Sequence, residues 1–178
     1  MLKATGMVRR IDDLGRLVVP KEIRRTLRIR DNEPLEVYIS GNDEIIFKKY
    51  SPLGELSIFA EQYAEAIHKK CGYIVVVCDR DCVIAVAGVP KEELIERRVS
   101  LGLVNLMEEG KSFAYNSAET AILKPIEGVN RYALVCEPII IEGSVDGAIM
   151  LLAENMSTCA EETEDAIIAI AADILGKK

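Results

Sequence analysis

The chain has no tryptophan, three phenylalanines and a single histidine, His68, among 178 residues. One histidine and no Cys-x-x-Cys pair leave too few ligands for a structural zinc site within one chain. His68 is expected to be a solvated helix residue. The five cysteines are odd in number and lack close regular spacing, which fits reduced thiols better than a disulfide framework. Cys78, Cys82 and Cys136 lie in apolar runs and are expected to pack as small hydrophobes. Long apolar runs are also missing: the longest stretches without a charge, 82–90 and 99–107, are nine residues each. A membrane-spanning helix needs ~18. The N-terminal residues carry no secretion-signal stretch, so a cytoplasmic location is expected.

Catalytic signatures are equally scarce. Neither Gly-x-Ser-x-Gly nor Ser-x-x-Lys occurs. Gly110-Lys111-Ser112 ends like a phosphate-binding loop, but Asn105 stands where that loop requires its first glycine. Asp79-x-Asp81 reads as a turn between strands rather than a metal site. An enzyme is the least favoured reading, and no cofactor is implied.

Charge is present but unevenly distributed. The formal net charge is -7. Residues 1–50 hold 11 Lys+Arg and 8 Asp+Glu, and the remaining 128 residues hold 11 and 21. Within residues 1–30 the count is 9 basic to 3 acidic. A basic head on an acidic body points to a polyanionic partner for the head alone.

The head reads as short strands around one short helix. Residues 5–11 and 16–19 alternate as a strand pair about the turn Asp12-Asp13-Leu14-Gly15. Pro20 suits the first position of a helix over Lys21 to Leu27, with Ile23 and Leu27 on one face and Arg24, Arg25 and Arg28 outward. A second hairpin follows, 35–39 and 44–48, around Gly41-Asn42-Asp43. Fifty such residues offer little core, so two chains are expected to share one.

Residues 51–55, rich in Ser, Pro and Gly, read as a linker. Beyond it, Leu56, Phe59, Tyr63 and Ile67 form the stripe of an amphipathic helix ending near Gly72. Strands are expected at 73–78 and 82–87, a less regular excursion with helices at 91–98 and 101–109, then a closing hairpin of 132–141 and 145–153. The final helix is expected from Thr158, with Glu161 completing a capping box, to a stop at Gly176. Residues 166–172 are apolar nearly all round, which fits burial or packing between subunits. The whole of 56–178 describes an α+β domain.

Arg9, Arg10, Arg16, Arg24 and Arg25, with Lys3 and Arg28 as outliers, are the sharpest constellation. Guanidinium forks suit phosphate oxygens and the O6/N7 edge of guanine. The stretch Thr5-Gly6-Met7-Val8-Arg9-Arg10-Ile11-Asp12-Asp13-Leu14-Gly15-Arg16-Leu17-Val18-Val19-Pro20-Lys21-Glu22-Ile23-Arg24-Arg25-Thr26-Leu27, followed by Leu35-Glu36-Val37-Tyr38-Ile39, resembles the DNA-binding domain of the AbrB-like transition-state regulators of spore-forming bacteria. That resemblance covers residues 3–50. It implies a swapped-hairpin β-barrel shared by two chains, with the five arginines at DNA-contacting positions.

A head of this kind followed by a GAF-like domain is similar to regulators that raise or lower sporulation genes in the forespore. The resemblance implies homodimers through the barrel, a helical dimer interface between GAF domains giving a homotetramer, and a nucleoid location. GAF domains hold small molecules beneath their excursion, here 88–130, although neither a cyclic-nucleotide signature nor a chromophore-attachment motif stands out. The competing reading is an antitoxin-like protein-binding module with the same barrel. Its short disordered tails differ from the periodic sequence of 56–178.

Overall fold

A computed structural model describes residues 5–41, 43–116, 121–155, 159 and 161–177. The chain separates into two compact units, Met1–Tyr50 and Ser51–Lys178.

In the first unit, Gly15 N–H donates to the Asp12 carbonyl (3.0 Å) and Asp12 N–H to the Arg16 carbonyl (3.1 Å), closing the turn between the two arms. Gly15 takes φ 75°, open to glycine without strain. The strands expected at 5–11 and 16–19 do not form: both arms run outside any ladder. The turn sets their approach, but a ladder needs a partner edge along its length. Helix α1, Lys21–Thr26, starts immediately after Pro20. Strands β1, Leu35–Ile39, and β2, Ile45–Lys49, pair antiparallel from Leu35↔Lys49 to Ile39↔Ile45. This is the second hairpin, with its return strand one residue later than expected; Asn42 of its turn lies outside the described residues. No described residue of this unit is buried. Val8, Val18 and Ile39 stand 84%, 72% and 85% exposed.

The second unit is a sheet between two helical layers. Residues 51–55, expected as a linker, include a short helix α2, Pro52–Glu55, whose Leu53 is wholly buried in this unit's core. A leucine at that position gains more by docking than by remaining in solvent. Helix α3, Ser57–Cys71, stops at Gly72 in the left-handed conformation (φ 77°). Its buried residues are Ala60, Ala64 and Ile67, with Tyr63 packed partly against them. The expected stripe holds at Ile67 and in part at Tyr63 but not at Phe59, which is exposed while Ala60 and Ala64 are buried, because the small alanines allow the helix closest to the sheet on their side.

Strands β3, Ile74–Asp79, β4, Val83–Ala87, β5, Phe113–Ala114, β6, Tyr132–Ile141, and β7, Ser144–Ala153, form one antiparallel sheet ordered β4-β3-β7-β6-β5. Strand alternation sorts its residues between two cores. Val75, Val77, Ile149 and Leu151 face α3 and the closing helix, whereas Val76, Cys78, Ala148 and Met150 face the excursion. Asp79 Oδ1 accepts from the N–H groups of Asp81 (2.7 Å) and Cys82 (2.8 Å), so the Asp79-x-Asp81 pair does build the turn.

In the excursion, α4 covers only Lys91–Leu94, since Ile95 turns extended (ψ 141°) and Glu96 follows at φ 62°, ending the helical course expected through residue 98. Helix α5, Leu101–Glu108, is capped by Ser100, whose Oγ accepts from Leu103 N–H (3.2 Å). Arg131 ties the layer down, donating to Glu93 Oε1 (2.6 Å) and Glu154 Oε1 (3.0 Å).

Helix α6, Glu162–Gly176, begins later than expected: Glu161 is extended (φ -92°, ψ 157°) and serves as the N-cap in a reciprocal cap with Glu164, rather than as the third residue of a cap opened by Thr158, which lies outside the described residues. Gly176 is its last helical residue, and a Cβ there would come 2.3 Å from the Ile140 carbonyl oxygen. Ile168, Ala171, Ala172 and Leu175 are buried, whereas Ala166, Ala169 and Ile170 face outward. His68 is half-buried rather than solvated: Nδ1–H donates to the Tyr73 carbonyl (2.7 Å), and a Cβ at residue 88 would collide with its ring. Among the described residues, no helix is long and apolar enough to cross a membrane.

The cysteines differ in environment. Burial pushes the Cys78 and Cys136 thiols well up, and burial followed by Asp79 pushes the half-buried Cys82 up to about 12. Thiolate is the reacting form. A water-soluble disulfide reagent at pH 8 is therefore expected to label exposed Cys159 quickly and to reach Cys78 and Cys136 only in denaturant. Mass spectrometry of the native protein that found either buried residue labelled early would contradict this packing.

Candidate nucleic-acid interface

Arg9 and Arg10 lie exposed on the first arm, and Arg16 opens the second. The Asp12 carboxylate gathers the turn between them. Its Oδ1 accepts from the backbone N–H groups of Leu14 (3.1 Å) and Arg16 (2.7 Å), and its Oδ2 accepts from Arg16 Nε (2.8 Å). The Arg16 backbone N–H, then its guanidinium, hold the Asp12 carboxyl below its ordinary value. The Arg16 side chain nevertheless remains 70% exposed.

Arg25 is exposed on α1, as the sequence implies. Arg24 and Arg28 differ from the outward placement expected of them, both being half-buried. Arg24 Nη1 donates to Asp31 Oδ1, as the chain leaves α1 and folds back across its end. Arg28 takes φ 54°, and its carbonyl accepts from Lys49 Nζ (2.8 Å), which turns it into the junction between α1 and β2. Lys3 lies outside the described residues. Sequence reasoning does not single out the orienting carboxylates. The i, i+4 spacing of Asp12 and Arg16 is the available signal for one, and only the fold brings Asp31 to Arg24.

Arg9 also borders an apolar groove of about 420 Å³ with Leu17, Val18, Ile23 and Phe47 in its walls. The first arm, the second arm, α1 and β2 thus converge on one hollow. In the second unit, the face of the sheet beneath the excursion is filled by buried Leu94, Val99, Leu103, Met107 and Ile126. An open hollow of about 420 Å³ lies at the edge of that layer, among Ser100, Lys124, Gly128 and Asn130. Lys124 Nζ there donates to Asn130 Oδ1 (2.9 Å).

Comparison with known proteins follows this division. The GAF domain of the Acinetobacter phosphoenolpyruvate-protein phosphotransferase superposes with a TM-score of 0.55 at 11% identity, covering 68% of this chain and 80% of that one, a likeness of fold alone. Residues 8–54 match a family described as antidote-toxin recognition MazE, bacterial antitoxin. The transition state regulatory protein AbrB of Bacillus subtilis (strain 168) is 51% identical over 51 residues, 29% of this chain and 52% of that protein. The chain thus joins an AbrB-like head to a second domain with a GAF-like antiparallel sheet. Residues 55–178 match the family described as stage V sporulation protein T C-terminal, transcription factor. Stage V sporulation protein T of B. subtilis is 40% identical over 179 residues, covering 99% of this chain and 98% of that protein. The chain belongs to the stage V sporulation protein T family of transcription factors.

Proposed function

We propose that two copies of this chain join their heads, residues 1–50, into one barrel that binds duplex DNA at sporulation promoters, raising some and lowering others. Arg9, Arg10, Arg16, Arg24 and Arg25 meet phosphates and base edges, with Lys3 and Arg28 flanking them. Residues 56–178 join the copies through the outer faces of α3 and α6 and answer to a small molecule. The observation that carries this reading is a unit whose first thirty residues hold 9 basic to 3 acidic side chains and which has no buried residue among those described. Such a unit needs a second surface to complete its core and a polyanion to meet its arginines. Two-fold symmetry then presents each arginine set twice. The acidic body keeps the rest of the protein away from phosphate, in keeping with work on the nucleoid in the cytoplasm.

The test is the salt dependence of binding to a promoter duplex. Arg9→Ala is expected to flatten the log-log slope by about 0.9 for each phosphate that the side chain neutralises, doubled in a dimer. An unchanged slope and affinity would remove Arg9 from the interface. The MazE-like match over residues 8–54 favours one other reading, a head that grips a protein partner. Copurification with a stoichiometric toxin, together with weak DNA binding, would rank that reading first.

A further inference from the structure

We propose that Asp12 is a positioning residue of the DNA interface, holding Arg16 in the pose in which its guanidinium meets the duplex. This rests on the reading of Arg16 as a DNA contact. The geometry divides the carboxylate's work between its two oxygens. Oδ1 is committed to the turn, accepting from the N–H groups of Leu14 and Arg16. Oδ2 is committed to the side chain, accepting from Arg16 Nε at 2.8 Å. An arginine held through Nε keeps its Nη1–Nη2 end for a phosphate or for the O6/N7 edge of guanine. Because the Arg16 side chain is largely exposed, an untethered one would sample many rotamers and lose that freedom on binding. The tether moves this ordering into the free protein, where it no longer opposes association.

The arrangement makes a prediction opposite in sign to simple electrostatics. A carboxylate beside a DNA-binding surface repels phosphate, so on charge alone its neutralisation should tighten binding. Asp12→Asn retains an oxygen for the turn N–H groups but places an uncharged amide opposite Arg16 Nε. Promoter affinity of the full-length protein is expected to fall about fivefold, part of the value of one oriented arginine pairing. Asp13→Asn removes the same charge from the neighbouring turn residue and is expected to leave affinity equal or slightly tighter.

A double-mutant cycle separates positioning from structure. With Arg16→Gln as background, Asp12→Asn is expected to have no further effect on affinity, while circular dichroism and the unfolding midpoint remain those of the parent. Asp12→Ser, which also retains a turn acceptor, is the second variant if the asparagine protein folds poorly. Binding by Asp12→Asn as tight as or tighter than wild type, or an equal loss in the Arg16→Gln background, overturns the proposal. If Arg16→Gln alone leaves DNA affinity unchanged, the assignment of Arg16 to the interface fails first, and the role of Asp12 goes with it.

Discussion

Gly147→Ala is expected to lower the stability of the second unit by about 3 kcal/mol or more, at the upper end of overpacking effects. Gly147 lies in β7, the middle strand of the sheet, opposite Asp79 on one side and Ile139 on the other. A Cβ there would be 2.1 Å from the Cys78 carbonyl oxygen, 2.6 Å from Leu53 Cδ2 and 3.1 Å from Asp79 Cα. Two of those three atoms are backbone in a paired strand, so neither can swing aside as the end of a flexible side chain would. The third neighbour, Leu53, is completely buried and belongs to α2. The substitution must therefore break the β3–β7 pairing locally or displace α2. Gly143→Ala is the control: its Cβ would meet nothing within 4 Å, and only its φ of 82° opposes a side chain. It is expected to cost about 1 kcal/mol. Urea unfolding of the two variants measures the contrast, and equal midpoints would mean that Gly147 is not held by packing.

Leu17→Asp is expected to abolish promoter binding at concentrations that saturate the wild type, with the second unit still folded. In the single chain Leu17 is 42% exposed in the wall of the apolar groove. Were that its final environment, an aspartate would be nearly neutral, within about 0.5 kcal/mol. If a second copy covers the groove, the same change buries a charge without a partner, which costs several kcal/mol and prevents assembly. Sedimentation of full-length protein, together with a DNA titration, distinguishes the two. A Leu17→Asp protein that assembles and binds as wild type would show that the groove is not shared. The exposed Val8, Val18 and Ile39 point the same way from other positions of the head.

Much of the second unit is legible in the sequence because strands covered on both faces require continuous apolar runs, and the turns between them require glycine or carboxylate at fixed places. Residues 74–78 and the turn that Asp79 builds after them follow that rule directly. Periodicity places the α3 stripe correctly at Ile67 but one position away at Phe59, because hydrophobicity ranks Phe59 above Ala60, whereas packing on a sheet favours the residue that permits the closest approach. Residues 51–55 carry linker chemistry, and nothing local distinguishes a solvated leucine from Leu53 inserted beside Gly147. Similarly, Arg24 and Arg25 are equivalent in the sequence; only the return of the chain after α1 gives Arg24 its Asp31 partner and leaves Arg25 in solvent.

Composition and pattern determine that the head is basic, where its turns and its second hairpin fall, and that the body is a layered α+β unit, because charge count and periodicity are properties of the chain itself. Tertiary structure decides which oxygen of Asp12 holds the turn and which holds Arg16, and that α2 joins the core. It also decides that the arms of the head lie open in one copy. Each of these depends on distances between groups that periodicity does not encode, and hydrogen bonds and van der Waals contacts change within a fraction of an ångström.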